Sequence, residues 1–157
     1  MERRKSQSRK PERKADDFGS SILDLARVTR VQRGGKRLRF RACVAVGDKK
    51  GAVGIGIAKG SDVSSAVEKA TRRAKRSLVH IPLTEVGSIP HSVSLCYKAS
   101  KIIFRPAPSG TGIKAGGVIR TICDLAGVKN ITAKILGTNN KIANAQAIVE
   151  SMQLFKI

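Results

Sequence analysis

The stretch Val28-Thr29-Arg30-Val31-Gln32-Arg33-Gly34-Gly35-Lys36-Arg37-Leu38-Arg39-Phe40-Arg41 decides how this chain begins to fold. Two runs of alternating residue type flank a Gly-Gly pair suited to a two-residue primed turn, which is the pattern of a β-hairpin. With Gly34-Gly35 as the loop, Arg33 is expected opposite Lys36, Val31 opposite Leu38 and Thr29 opposite Phe40. Side chains alternate along a strand, so Thr29, Val31, Leu38 and Phe40 fall on one face, and Val28, Arg30, Arg37, Arg39 and Arg41 on the other. The first face is expected to seek a core. The second is a cluster of guanidinium groups.

Downstream, the second strand continues through Ala42-Cys43-Val44-Ala45-Val46, turns in 47–51 and returns as Val53-Gly54-Ile55-Gly56-Ile57. Glycine weakens a strand interior, and its usual reasons are a bulge or the close approach of another backbone, here of protein or RNA. A helix is expected next, with Ser65-x-x-Glu68 fitting a capping box and Val63, Ala66 or Val67, Ala70, Ala74 and Leu78 recurring at helical spacing. Lys69, Arg72, Arg73, Lys75 and Arg76 occupy its outer surface. Upstream, residues 1–17 are expected to form a disordered basic tail. A Pro/Gly-punctuated stretch over 81–90 marks the expected boundary between domains 18–81 and 82–157. The second domain reads as strands near 91–97 and 101–105, a helix over 117–126 capped by Gly127, a strand over 130–136 and a helix over 141–154. The expected class is therefore α+β. A three-stranded antiparallel sheet with one helix precedes a two-layer α/β domain of β-β-α-β-α order.

Charge narrows the function. Lys and Arg total 31 against 11 Asp and Glu, a formal +20. Such an excess repels itself in the folded chain, and a polyanion would neutralise it. No run approaches the roughly 18 apolar residues of a membrane span, and no signal-peptide stretch opens the chain, so neither a membrane partner nor export is expected. The expected location is cytoplasmic. Aromatics are only 3%, with no Trp. Single-strand platforms stack bases on exposed aromatic rings, so folded or double-helical RNA fits better. The candidate RNA contacts are Arg30, Arg33, Gly34, Gly35, Lys36, Arg37, Arg39, Arg41, Gly54, Gly56, Lys59, Arg72, Arg73 and Arg76.

The residues offer little for catalysis. Cys43, Cys96 and Cys123 are far apart, whereas a zinc site needs four ligands at close spacing, so three reduced structural thiols and no metal are expected. Ser109-Gly110-Thr111-Gly112 lacks the Lys-Ser/Thr pair of a phosphate loop, and Ala115 stands where a dinucleotide fingerprint needs its third Gly. As a Gly-rich loop opening a helix it remains a candidate for an RNA phosphate, or a tight structural turn. Glu85, Asp124 and Glu150 form no carboxylate pair suited to acid–base work. No enzyme and no cofactor are expected.

Gly35-Lys36-x3-Phe40-x-Ala42 is followed by Val46-Gly47-Asp48-x-x-Gly51-x-Val53-Gly54-x-Gly56 and then by Ile89-Pro90-His91. Further on stand Pro106-Ala107, Gly110-Thr111-Gly112-Ile113-x-Ala115-Gly116-Gly117, Leu125-Ala126-Gly127-Val128, Ala133-Lys134 and Gly137-x-Asn139-Asn140. Over roughly residues 25 to 150 this resembles the bacterial small-subunit ribosomal protein five family. The family commonly has Pro where Lys141 and Ser64 stand. The resemblance implies a first domain similar to double-stranded-RNA-binding domains and a second with a left-handed crossover. It implies binding to small-subunit rRNA, contacts with ribosomal proteins four and eight, a position near the mRNA entry path, a part in decoding accuracy, and no homo-oligomer. It also implies that the hairpin around Arg33-Gly34-Gly35-Lys36 reaches rRNA near the spectinomycin site, and that Gly110–Gly112 lies near protein four. Two rivals stand beside it. One is a phosphotransferase holding a nucleotide at Gly110–Gly117, decided by ATP calorimetry; the other is a free-standing RNA-binding regulator built on 18–80 alone.

Overall fold

The computed structural model describes residues 18–155, so the tail expected over residues 1–17 lies outside the described residues. Strands β1 (Gly19–Gln32), β2 (Gly35–Gly47), β3 (Ala52–Gly60) and β4 (Leu78–His80) form an antiparallel sheet in that order, with α1 (Val63–Ala74) between β3 and β4. A second sheet follows, built from β5 (Val93–Tyr97), β6 (Ser100–Pro106), β7 (Ile113–Lys114) and β8 (Ile131–Ile135) in the order β5-β6-β8-β7. Helices α2 (Gly117–Ala126) and α3 (Lys141–Met152) follow β7 and β8. The α+β class stands, and two short strands are added to it. Leu78, expected on the helix, belongs to β4: α1 stops at Ala74, and the Ser77 hydroxyl donates to the Ile55 carbonyl at 3.2 Å as the chain turns back onto β3. The two-residue β7 pairs in parallel with β8.

The hairpin register differs from the expected one. Gln32 pairs with Gly35, so Arg33 and Gly34 make the turn, and Gly34 takes a φ of 80° that favours glycine. Thr29 then faces Leu38, and Arg30 faces Arg37. Moving the turn by one residue moves every pairing by two, so the division into two faces survives. The expected capping box does not form. Asp62 is the N-cap of α1, and Glu68 instead holds Arg72 at 2.9 Å.

From Ala42 onward, strand β2 is buried on both sides. Its Ala42, Val44 and Val46 pack with Ala66, Ala70 and Ala74 of α1. Its Cys43 and Ala45 join Val53 in a larger core with Phe104, Ile122, Leu125 and Ile148 of the second half. The first sheet is thus a middle layer, with α1 on one face and the α2–α3 layer on the other. A backbone interlock closes that second seam. The Lys49 and Gly51 amides each donate at 2.9 Å, to the carbonyls of Leu125 and Ala126 respectively. A Cβ at Gly47 would stand 2.2 Å from the Leu125 carbonyl oxygen.

Gly127 ends α2 with a φ of 82°, as its place after the apolar run predicts. The Asn140 side chain caps α3 by accepting from the Ile142 and Ala143 amides. Inside the second half, the buried Ser100 hydroxyl donates to Asn144 Oδ1 at 2.6 Å, tying β6 to α3.

The thiols divide by environment. Cys43 and Cys123 are buried, whereas Cys96 is exposed, contrary to its expected structural place. Burial, then the Asp24 carboxylate, pushes the Cys43 thiol up to about 11 against the pull of Arg41; burial pushes Cys123 up to about 12. Only thiolates alkylate readily. Mass spectrometry after brief iodoacetamide treatment near neutral pH is expected to find Cys96 modified first, and Cys43 and Cys123 only after unfolding. Equal labelling of all three would refute the packing. Both buried thiols have folded values above their ordinary 9.0, so their contribution to stability is intact below that pH and is lost as pH climbs toward the folded values.

Candidate nucleic-acid interface

Residues 29–39 form an unbroken exposed run, so the β1–β2 hairpin projects beyond the layers that cover the rest of the sheet. At about 3.3 Å per residue, four or five residues per strand reach roughly 15 Å. Nothing lies within 4 Å of a Cβ placed on Gly34 or Gly35, so the tip is open. The face expected to seek a core does not find one at this end. Val31 is 73% exposed and Leu38 is 51% exposed. The reason is length: β1 and β2 outrun α1.

On the opposite face, Arg30 lies directly across from Arg37, Val28 from Arg39 and Lys59 from Arg41. Val28, Arg30, Arg37, Arg39 and Lys59 border a cleft of about 270 Å³. No carboxylate lines it, and none of these cations has an ion pair among the described residues. Like charges directly across a strand pair repel, and an anion lying between them would relieve that repulsion. Arg41 is the exception, because its guanidinium meets Asp24 at 3.6 Å. Asp24 also meets Lys141 at 3.8 Å, so the lysine standing where proline is common ties α3 to β1. The other departure, Ser64, donates to Asp62 Oδ2 at 2.6 Å.

The remaining candidates separate. Gly54 and Gly56 are buried under α1: a Cβ at Gly54 would stand 2.4 Å from the Ala74 carbonyl oxygen, and one at Gly56 1.9 Å from that of Ala70. Their expected contact with RNA is overturned, and the backbone that approaches them is the helix. Arg72 and Arg73 are exposed on α1 and Arg76 in the turn after it, on the far side of the sheet from the arginine cleft. Arg72 is paired with Glu68, and Arg73 donates to the Ile57 carbonyl at 2.6 Å. Arg33 and Lys36 flank the hairpin tip, both exposed.

The Ser109–Gly112 segment is not a helix-opening loop. It precedes β7, and α2 starts only after Gly116. The Gly112 amide, a donor an anion would need, is held by Asn130 Oδ1 at 3.1 Å, while Ser109 and Gly110 remain exposed. Sequence reasoning missed Asp24. A bulge between Ile22 and Asp24 shifts the alternation of β1, so no simple count along the strand places that carboxylate beside Arg41.

Comparison with known proteins bears on the whole chain. Residues 18–82 match the family described as ribosomal protein S5, N-terminal domain, and residues 96–156 match ribosomal protein S5, C-terminal domain. Small ribosomal subunit protein uS5c of Spinacia oleracea is 44% identical over 147 residues, which are 94% of this chain and 48% of the relative. Small ribosomal subunit protein uS5 of Nostoc punctiforme is 42% identical over 153 residues, 98% of this chain and 87% of the relative. Small ribosomal subunit protein uS5c of Rhodomonas salina is 46% identical over 149 residues, with 95% and 89% covered. The chain thus spans about half the length of the spinach relative and nearly nine tenths of the other two.

Proposed function

The chain belongs to the ribosomal protein S5 family, and from that premise we propose that it binds folded small-subunit rRNA by inserting its β1–β2 hairpin. It is a structural protein of the small ribosomal subunit and not an enzyme, as its family is. The observation that carries the proposal is the cleft bordered by Arg30, Arg37, Arg39 and Lys59 on a projecting ribbon with no acid beside it. An open glycine tip lets the ribbon approach an RNA groove closely, and the guanidinium groups then meet phosphates. Arg33 and Lys36 extend the same contact, and Arg76, exposed in the turn after α1, joins a separate one.

The finer parts of the proposal rest on family membership. They are contacts with ribosomal proteins four and eight, a place beside the mRNA entry path, support of decoding accuracy, and Gly110–Gly112 near protein four. Location in the ribosome follows from the family, and the cytoplasm as its compartment belongs to the proposal. Among the described residues no helix is long and apolar enough to cross a membrane.

The test is sedimentation of cell extract followed by quantitative mass spectrometry. The chain is expected at about one copy per small subunit, which also separates this reading from a free-standing regulator. Its absence from small subunits, or a large pool running free, overturns the reading.

A further inference from the structure

Residues 81–90, punctuated by Pro82, Gly87 and Pro90, are where the sequence suggests a joint between two halves. Such a joint is ordinarily an exposed linker crossed by few contacts, and motion across it is the default. Here the joint is sewn down at both ends. The Ile81 amide donates to the Gly51 carbonyl at 2.8 Å. The Gly87 carbonyl accepts from the Lys129 and Asn130 amides at 2.8 and 3.1 Å, and the Ala107 amide donates to the Ser88 hydroxyl at 3.2 Å. Ile81, Ser88 and Ile89 are all buried.

The β2–β3 turn makes a second fastening, against the end of α2. The last carbonyls of a helix have no partner within it. Those of Leu125 and Ala126 are taken up by the Lys49 and Gly51 amides of the turn. The fit is close on both sides. A Cβ at Gly127 would stand 2.2 Å from the Lys49 carbonyl oxygen, and the three atoms nearest to one at Gly47 all belong to Leu125. The seam itself is apolar, with Cys43, Ala45 and Val53 in one core with Ile122, Leu125 and Ile148. Parting the halves would exchange these hydrogen bonds for water and open apolar surface on each half, and both changes are unfavourable.

We infer that the chain is one folding unit, whose halves do not part short of unfolding. The direction in which the hairpin leaves the body is then set before any ligand is met. Strand β2 carries that constraint, because it runs unbroken from the hairpin at Gly35 to the seam at Gly47. Nothing in this depends on what the hairpin binds.

Calorimetry and native-state hydrogen exchange on the full chain test it. One melting transition is expected, with equal calorimetric and van't Hoff enthalpies. The Lys49, Gly51 and Ile81 amides are expected to exchange only through global opening, with the protection found in the central strands β2 and β6. Two transitions, or seam amides that open at a clearly lower free energy than those strands, overturn the inference. Gly47→Ala gives a second reading, since its added Cβ would lie 2.2 Å from the Leu125 carbonyl oxygen. In a single unit that strain lowers protection in β2 and β6 by the same factor, about tenfold to a hundredfold. Two independent halves would part instead, and each would keep its own protection. Loss in one half alone, or in neither, therefore sinks the idea. Should Gly47→Ala fail to fold, the parent's calorimetry and exchange decide by themselves.

Discussion

Gly56→Val is expected to lower the melting temperature by roughly 6–12 °C. The first Cβ atom would stand 1.9 Å from the Ala70 carbonyl oxygen and 2.7 Å from the Ala74 amide nitrogen, both backbone atoms of α1 that no rotamer change can move aside. The helix must lift from β3, and Ala66, Ala70 and Ala74 leave a core in which each is now 0% exposed. Overpacking a close-fitted seam costs about 3 kcal/mol or more when backbone has to shift. A protein of this size loses about 2–4 °C per kcal/mol, which gives the range above. Gly117→Ala is the control, because nothing lies within 4 Å of its Cβ position. It is expected to melt with the parent or slightly above it. Calorimetry decides; if Gly56→Val melts with the parent, α1 does not sit on β3 as described.

Arg37→Ala/Arg39→Ala is expected to weaken rRNA binding evenly across RNA sequences and to flatten its salt dependence by about two units. Both side chains are exposed on the hairpin and neither has an ion pair among the described residues, so the fold loses nothing by their removal. The even loss follows because phosphates carry no sequence information. Titration over a range of salt, with melting curves as a check on folding, tests it. Unchanged affinity and slope in a folded variant remove the hairpin from the contact. A loss confined to particular RNA sequences points instead to base reading at these positions.

Several features were legible along the chain. Alternation in 28–41 sorted the arginines onto one side, and that result withstood an error in the turn. The turn moved from Gly34-Gly35 to Arg33-Gly34, the pairings moved by two, and a period of two hides such a shift. Gly127 as the end of α2 and the absence of a carboxylate pair in the second half were equally readable. These depend on residues within a few positions of one another, or on composition alone.

Other features were not, because their causes lie far away in the chain. Gly54 and Gly56 read as bare places on a strand; only α1 seated on β3 makes them a groove for alanines. Strands β4 and β7 exist because β3 and β8 offer them an open edge. Asp24 meets Lys141 across more than a hundred residues of sequence. The sequence by itself determined the spacing of side chains, the helix ends and an unbalanced positive charge, since local sterics and simple counting set all three. The tertiary structure alone decided which faces are covered. The same alternation is buried on both sides at Val44 and Ala45 and bare on both sides at Leu38 and Arg39, because cover comes from distant elements and stops where they stop.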